Sequence, residues 1–263
     1  MRGSVKAVVA TAVLVFTAAS VAGDEPQPIR TFDLETIQAL GQHMYHQDQE
    51  AWKATDILLA QHSPEKLSTA KISGWIVDET AERDVVRFLR EGANGLEAAY
   101  DVTFAHGAKP ILNEPENRAL TPEEAAQVDA RLLAARNFTF RCSSDPANTV
   151  AFRDPKGDGW LVWVMSAIRD PNKMVLGGHT RFTISADGKS ITHKDALSMG
   201  CNVLSRKGPN GEVPVGYFFT HIVSDTPVET HVFASLTYGV VFYVGTPDRS
   251  VWGIGKGMIT KVK

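Results

Sequence analysis

The residues between Asp33 and Gln61 repeat a mostly apolar pattern at intervals of three and four. The pattern is formed by Leu34, Ile37, Leu40, Met44, Ala51, Trp52, Thr55, Leu58 and Leu59. At about 100° per residue these side chains share one side of a helix. Asp33 suits an N-cap, Glu35 suits the positive helix end, and Pro64 follows the last turn. The pattern predicts a helix that runs to about Gln61 and packs this stripe on a sheet.

Most of the remaining chain alternates apolar and polar residues, which is typical of strands. We predict strands at residues 74–78, 84–89, 98–104, 138–141, 149–152, 160–168, 179–185, 189–193, 217–224, 228–236, 240–245, 251–254 and 258–262. The strongest hairpin signal is Ala186-Asp187-Gly188, since both Asp and Gly tolerate positive φ. The nearly continuous apolar run 160–168 indicates a central strand. A second hairpin is predicted across residues 225–227.

A second helix is predicted between the two groups of strands. Thr121 is a suitable N-cap, Pro122 suits the first helical position, and Glu123 begins an acidic first turn. We expect this helix to end near Arg136. The fold class is therefore α+β: an antiparallel sheet of eight to eleven strands, covered by a long N-terminal helix and a second helix, and mostly β after residue 138. Residues 24–263 are predicted to form a single domain.

The first residues have the pattern of a secretory signal. Arg2 and Lys6 precede an apolar run over residues 7–19, and small residues follow at 20–22. This order predicts a signal peptide over residues 1–23, cleaved after Ala22 or Gly23, and a periplasmic or secreted protein with no membrane span after cleavage. An uncleaved anchor is the alternative.

Charge and cysteine content narrow the partners and the compartment. Without the signal, 25 basic and 30 acidic residues leave a net charge of −5, which disfavours nucleic acid as a partner. In an oxidising compartment we expect Cys142 and Cys201 to pair. The closed loop of about 60 residues would stabilise the fold by roughly 4 kcal/mol in the chain-entropy model. A redox or nucleophilic cysteine is the alternative.

Three polar residues of the first helix allow a metal site. His43, His46 and Glu50 share one helical face, and imidazole and carboxylate are transition-metal ligands. One helix cannot surround an ion, and a further ligand cannot be identified from the sequence. The alternative is a solvated helix face with no metal cofactor.

Other candidate residues lie outside that face. Asp48 falls within the apolar stripe, where a carboxylate needs a partner; it is either a structural hydrogen-bonding group or a catalytic acid. His179 is a candidate to act with it. In the predicted hairpin across residues 225–227, His221 and His231 would face each other and could hold a metal with His179 as third ligand.

Common catalytic signatures are absent from the sequence: there is no Gly-x-Ser-x-Gly, no His-Glu-x-x-His, no P-loop and no dinucleotide glycine fingerprint. This absence lowers the expectation of an enzyme without removing it, because paired carboxylates have no local signature. A cell-envelope hydrolase using Asp48 or Glu50 with a histidine stays an alternative.

Several short motifs carry a resemblance to known sequences. They are Trp52-Lys53-Ala54-Thr55-Asp56, Ala99-Tyr100-Asp101-Val102-Thr103-Phe104, Leu176-Gly177-Gly178-His179, Ser185-Ala186-Asp187-Gly188, and Leu197-Ser198 before Cys201. The chain resembles, over most of its predicted mature length, a group of uncharacterised exported proteins of Gram-negative bacteria. The resemblance implies an exported bacterial protein and implies no function.

The leading functional hypothesis is therefore a non-catalytic exported protein. It would bind a protein or glycan of the cell envelope through a sheet face or through the loop at residues 105–119. Long loops of this kind are often functional. The hydrolase and the metal-binding protein remain the two alternatives.

Overall fold

A computed structural model describes residues 28–208 and 210–263, so the predicted signal peptide lies outside the described residues. The helices are α1 (Leu34–Gln61), α2 (Pro64–Ala70), α3 (Pro122–Arg136) and α4 (Glu229–Tyr238). The strands are β1 (Ile72–Glu79), β2 (Arg83–Gly92), β3 (Gly95–Ala105), β4 (Ile111–Asn113), β5 (Asn148–Arg153), β6 (Trp160–Met165), β7 (Lys173–Val175), β8 (His179–Ile184), β9 (Ile191–Ala196), β10 (Val203–Ser205), β11 (Tyr217–Thr220), β12 (Phe242–Gly245), β13 (Val251–Gly255) and β14 (Met258–Lys261). The predicted α+β class and the long N-terminal helix are confirmed.

Helix α1 is the element that every main sheet packs on. Asp33 caps it by accepting a hydrogen bond from the Thr36 N–H at 2.7 Å. Its 28 residues span about 42 Å at 1.5 Å per residue. Along this length the buried side of α1 contributes to three successive apolar clusters, through Ile37, then Leu40 and Met44, then Ala54 and Leu58. One helix therefore joins three cores.

The first sheet, in the order β1-β2-β3-β4, is an antiparallel meander. Its buried face packs on the C-terminal half of α1 through Val86, Phe88 and Val102. The meander confirms the three strands predicted at this point. The loop predicted at residues 105–119 contains one further short strand, β4.

The central sheet has the order β5-β6-β8-β9 and is covered on both faces. Alternate residues of β6 enter different cores: Leu161 and Trp163 pack towards α1, whereas Val162 and Val164 pack towards α3. Burial on both faces explains the continuous apolar run and confirms the central position of this strand. The β8–β9 hairpin is also confirmed, with Gly188 at φ +77° in its turn.

The third sheet differs from the prediction. Residues 228–236 do not form a strand; they form the N-cap and most of α4, which connects the parallel strands β11 and β12. The predicted hairpin was wrong because the mixture of β-branched and aromatic residues in 228–236 fits the two-residue period of a strand as well as the 3.6-residue period of a helix. The missed helix signals are Glu229 in the first turn and Gly239, which ends the helix at φ +64°.

Three further expectations need correction. Residues 138–141 form no strand. Within the part of the chain that the structure describes, the strands divide among three four-stranded sheets and one two-stranded sheet, β10-β7, instead of one large sheet. Trp52 and Leu59, assigned to the buried stripe of α1, are about 60% exposed, at 61% and 59%. Within residues 28–208 and 210–263, no helix combines the length and apolar character needed to cross a membrane.

The predicted disulfide is present. Cys142 and Cys201 are joined, with their Cα atoms 5.2 Å apart. The bridge ties the segment after α3 to the segment between β9 and β10. The bridge therefore holds the loop between β9 and β10 close to the segment that leads into β5 of the central sheet.

A buried ionic cluster joins the N-terminal segment, the central sheet and α4. The Arg181 side chain is 1% exposed, and it donates to Asp195 and Glu229, each at 2.9 Å, and to the Arg30 carbonyl. Glu229 also accepts from the Trp163 indole N–H at 2.7 Å. The Arg30 backbone N–H donates to Asp195 at 2.9 Å. One guanidinium thus shares its charge between two buried carboxylates, and the neutral donors of Trp163 and Arg30 add hydrogen bonds to them.

Removing Arg181 should destabilise the protein strongly. In Arg181→Met two buried carboxylates lose their counter-charge, so the free energy of unfolding should fall by about 3–5 kcal/mol. Arg169→Met is the matched control, because Arg169 is 79% exposed beside Asp145; it should cost less than about 1 kcal/mol. Urea denaturation measures both. A loss below about 1 kcal/mol in Arg181→Met would show that the cluster is not a stabilising constraint.

Candidate metal centre

A group of three potential metal ligands lies where α1 crosses the turn end of the β1–β2 hairpin. One ligand atom from each of His46, Glu79 and Asp84 lies within 4.8 Å of the other two. The Nε2 atom of His46 is 2.7 Å from Asp84 Oδ2 and 3.9 Å from Glu79 Oε1. Helix and hairpin therefore present one nitrogen and two carboxylate groups to a common point.

Two neighbouring side chains of α1 hold Glu79 in place. Its Oε2 atom contacts Nε2 of His43 and accepts from the Gln47 amide at 2.9 Å. The His43 ring is stacked on Phe152, with ring centroids 4.1 Å apart. Contacts of this kind orient ligating groups in metal sites. The carboxylate is thereby fixed with Oε1 on the side of His46.

The electrostatic setting keeps Glu79 ionised. Burial raises its pKa, but the hydrogen bond and charge of His43, the Gln47 amide and His46 lower it, and the net pKa is below the ordinary value. The His46 side chain is 49% exposed, so solvent reaches the cluster. An ion could enter and keep a water ligand.

Two cavities meet at His43 beside this cluster. One has a volume of about 560 Å³ and lies between the start of α1 and the end of β5, with Asp33, Phe152 and Lys156 in its walls. The other, of about 250 Å³, extends towards α3 and is lined by Glu79 and Gln47. A ligand in either cavity would lie next to the carboxylate cluster.

The sequence predicted part of this centre. It placed His43 and His46 on one helical face, and the structure brings both to the cluster. Glu50 is not there: it is 6% exposed and accepts from Lys53 at 2.9 Å. The face is only partly exposed to solvent, since Gln47 is 1% exposed and the His46 side chain is 49% exposed.

The two carboxylate ligands were missed. Glu79 is the last residue of β1, and Asp84 lies near the start of β2, one on each side of a tight turn. They pair directly in the hairpin register. Acidic residues at both ends of the short connection between two predicted strands were the available signal, but their approach to α1 depends on how the sheet packs on the helix.

Asp48 and His179 are not brought together. Asp48 accepts from the Asn148 amide at 2.6 Å, and burial raises its pKa although this bond opposes the rise. Asn148 of β5 pairs with Met165 of β6, and Met165 pairs on its other side with His179 of β8. Asn148 and His179 are thus two strands, or about 10 Å, apart. Of the two interpretations of Asp48, the geometry agrees with a structural hydrogen-bonding group, whose partner is Asn148.

His221 and His231 do lie together, although not in a hairpin. His221 follows β11 and His231 is in the first turn of α4, with ring centroids 4.7 Å apart. Both rings are buried. Burial lowers the pKa of His221 to about 4, and it lowers that of His231 well below its ordinary value. His179, also buried, has its pKa lowered to about 4.

Comparisons with protein-family models, with curated proteins and with solved structures found no match to this chain. The functional argument therefore depends on the geometry of its own residues.

The buried histidines should make the protein sensitive to acid. In the unfolded chain a histidine takes up a proton near pH 6.5, whereas His221 in the folded protein does so only near pH 4. Stability is therefore lost as the pH falls from about 6.5 to 4, by about 3 kcal/mol for this residue.

The variant His221→Gln isolates this contribution from that of the acidic residues. As the pH falls from about 6.5 to 4, the free energy of unfolding should decrease by about 3 kcal/mol less in this variant than in the wild type. Urea denaturation at several pH values gives the difference. Parallel pH profiles for the two proteins would contradict the assignment of His221 as a buried neutral group.

Proposed function

We propose that this protein is an exported binder of a divalent transition-metal ion, held by His46, Glu79 and Asp84. The observation that carries the proposal is their mutual approach to within 4.8 Å from three different elements, α1, β1 and β2. Two carboxylates close together repel each other unless a positive charge lies between them. Neutral imidazoles would leave that charge to be supplied by an ion.

The donor set favours a particular class of metal. Calcium and magnesium prefer oxygen ligands alone, whereas imidazole nitrogen suits zinc and its first-row neighbours. Three protein ligands leave a coordination position for water. His43 would remain the group that orients Glu79.

Export is part of the proposal and has separate support. Residues 1–23 have the pattern of a signal peptide, and the Cys142–Cys201 disulfide is compatible with an oxidising compartment. The expectation of a protein or glycan partner in the cell envelope also stays a proposal. The cavity of about 560 Å³ next to His43 is a surface where such a partner could reach the metal.

Titration of chelator-treated protein with zinc tests the metal site. Calorimetry should show one saturable site in the wild type. His46→Ala and Asp84→Asn should weaken binding by more than about 100-fold, and His43→Ala by about 10- to 100-fold, since His43 acts through Glu79. His106→Ala removes an exposed loop histidine and should bind zinc like the wild type.

Acid should weaken binding as well, because a ligating imidazole has to lose its proton. Zinc uptake that is unchanged in His46→Ala, or that is absent from the wild type, would contradict the proposal. In that case the contacts of His43 with Glu79 and of His46 with Asp84 are structural contacts between side chains and hold no metal. Thermal unfolding would then show no increase in stability with zinc.

A further inference from the structure

A third cavity, of about 210 Å³, lies on another part of the molecule. One wall is the segment Met199–Asn202, which the disulfide fixes through Cys201. The opposite wall is formed by the end of β11 and the start of α4, including His221 and His231. None of the residues that line this cavity is Asp, Glu, Lys or Arg. A charged ligand would therefore lose its hydration without gaining a counter-charge.

The hydrogen bonds of His221 assign its tautomer. The Ser224 hydroxyl donates its single proton to the Thr226 carbonyl at 2.7 Å. It must therefore accept where it meets His221 Nε2 at 2.8 Å, so Nε2 carries the ring proton. The other nitrogen, Nδ1, is left with a free lone pair. Among the described residues the only hydrogen bond of the His221 ring is the one made by Nε2.

The hydrogen bonds of His231 assign its tautomer too. The backbone N–H of Val228, at the N-cap of α4, donates to His231 Nδ1 at 3.2 Å. Since Nδ1 accepts, it has no proton, and the neutral ring carries its proton on Nε2. Nε2 is thus a donor, and among the described residues the only hydrogen bond of the His231 ring is the one at Nδ1.

These tautomers argue against the prediction that His221 and His231 hold a metal ion. A neutral imidazole that binds a metal through Nε2 has to carry its proton on Nδ1. In His231 that position is taken by the hydrogen bond from Val228. A metal would therefore break the N-terminal contact of α4, whereas an acceptor group of a ligand would leave it intact.

We propose that this cavity binds a neutral small molecule bearing an amide group. The amide C=O accepts from His231 Nε2–H, and the amide N–H donates to His221 Nδ1. The two rings are adjacent, with centroids 4.7 Å apart, and both line the cavity. Leu176 and Phe219, also in the walls, cover the apolar part of the ligand. This site is independent of the proposed metal centre.

Benzamide, methyl benzoate and benzoate form a matched set of probes. Methyl benzoate keeps the ring and the carbonyl but lacks the N–H, and benzoate adds a charge. Titration of protein labelled with ¹⁵N-histidine should show both rings protonated on Nε2, and benzamide should shift His221 Nδ1 and His231 Nε2 saturably. Benzamide should bind at least about 10-fold more tightly than either analogue, because each leaves a hydrogen bond unmade.

The variant His221→Phe removes the acceptor and should abolish the preference of the cavity for benzamide over methyl benzoate. His106→Ala should retain it. A ring protonated on Nδ1, the absence of any benzamide shift in the wild type, or equal binding of benzamide and methyl benzoate would overturn the proposal. The probe series on the wild type decides it even where His221→Phe does not fold.

Discussion

The packing of helix α1 against three sheets is the constraint on which the rest of the structure depends. Successive turns of α1 are buried in different cores, from Ile37 near its start to Leu58 near its end. Gly41 shows how closely its neighbours approach, since a Cβ atom there would lie 2.5 Å from Val232 Cβ in α4. The Arg181 cluster adds a second link between the central sheet and α4. Sheets that share one helix have fixed positions along it.

This constraint explains why functional groups meet on α1. A side chain on a helix has a defined position only when neighbouring groups hold it. His43 is held by Phe152 of the central sheet and by Glu79 of the first sheet. His46 then meets Asp84. The candidate metal centre thus lies where α1 passes from one sheet to the next. The histidine cavity lies elsewhere, and its geometry depends on the disulfide and on α4.

Local signals predicted the fold best. The caps at Asp33 and Thr121 and the Asp187-Gly188 turn are decided by neighbouring residues, and the structure contains all three. Helix α4 was missed because its apolar residues suit either a helix or a strand, and the two local signals at its ends, Glu229 and Gly239, are weaker than the caps of α1 and α3. The residues of the candidate metal centre divide in the same way. The shared face of His43 and His46 follows from helical spacing, whereas Glu79 and Asp84 reach them only because the first sheet packs on α1. The free nitrogens of His221 and His231 depend on contacts that no spacing encodes.

X-ray absorption at the zinc edge of zinc-loaded protein tests the central claim most directly, because it identifies the atoms bound to the metal. The account predicts a shell of nitrogen and oxygen atoms at about 2.0–2.2 Å. Imidazole scattering should be present in the wild type and reduced in His46→Ala. A sulfur shell at about 2.3 Å, or imidazole scattering that is unchanged in His46→Ala, would contradict a centre built by α1 and the β1–β2 hairpin.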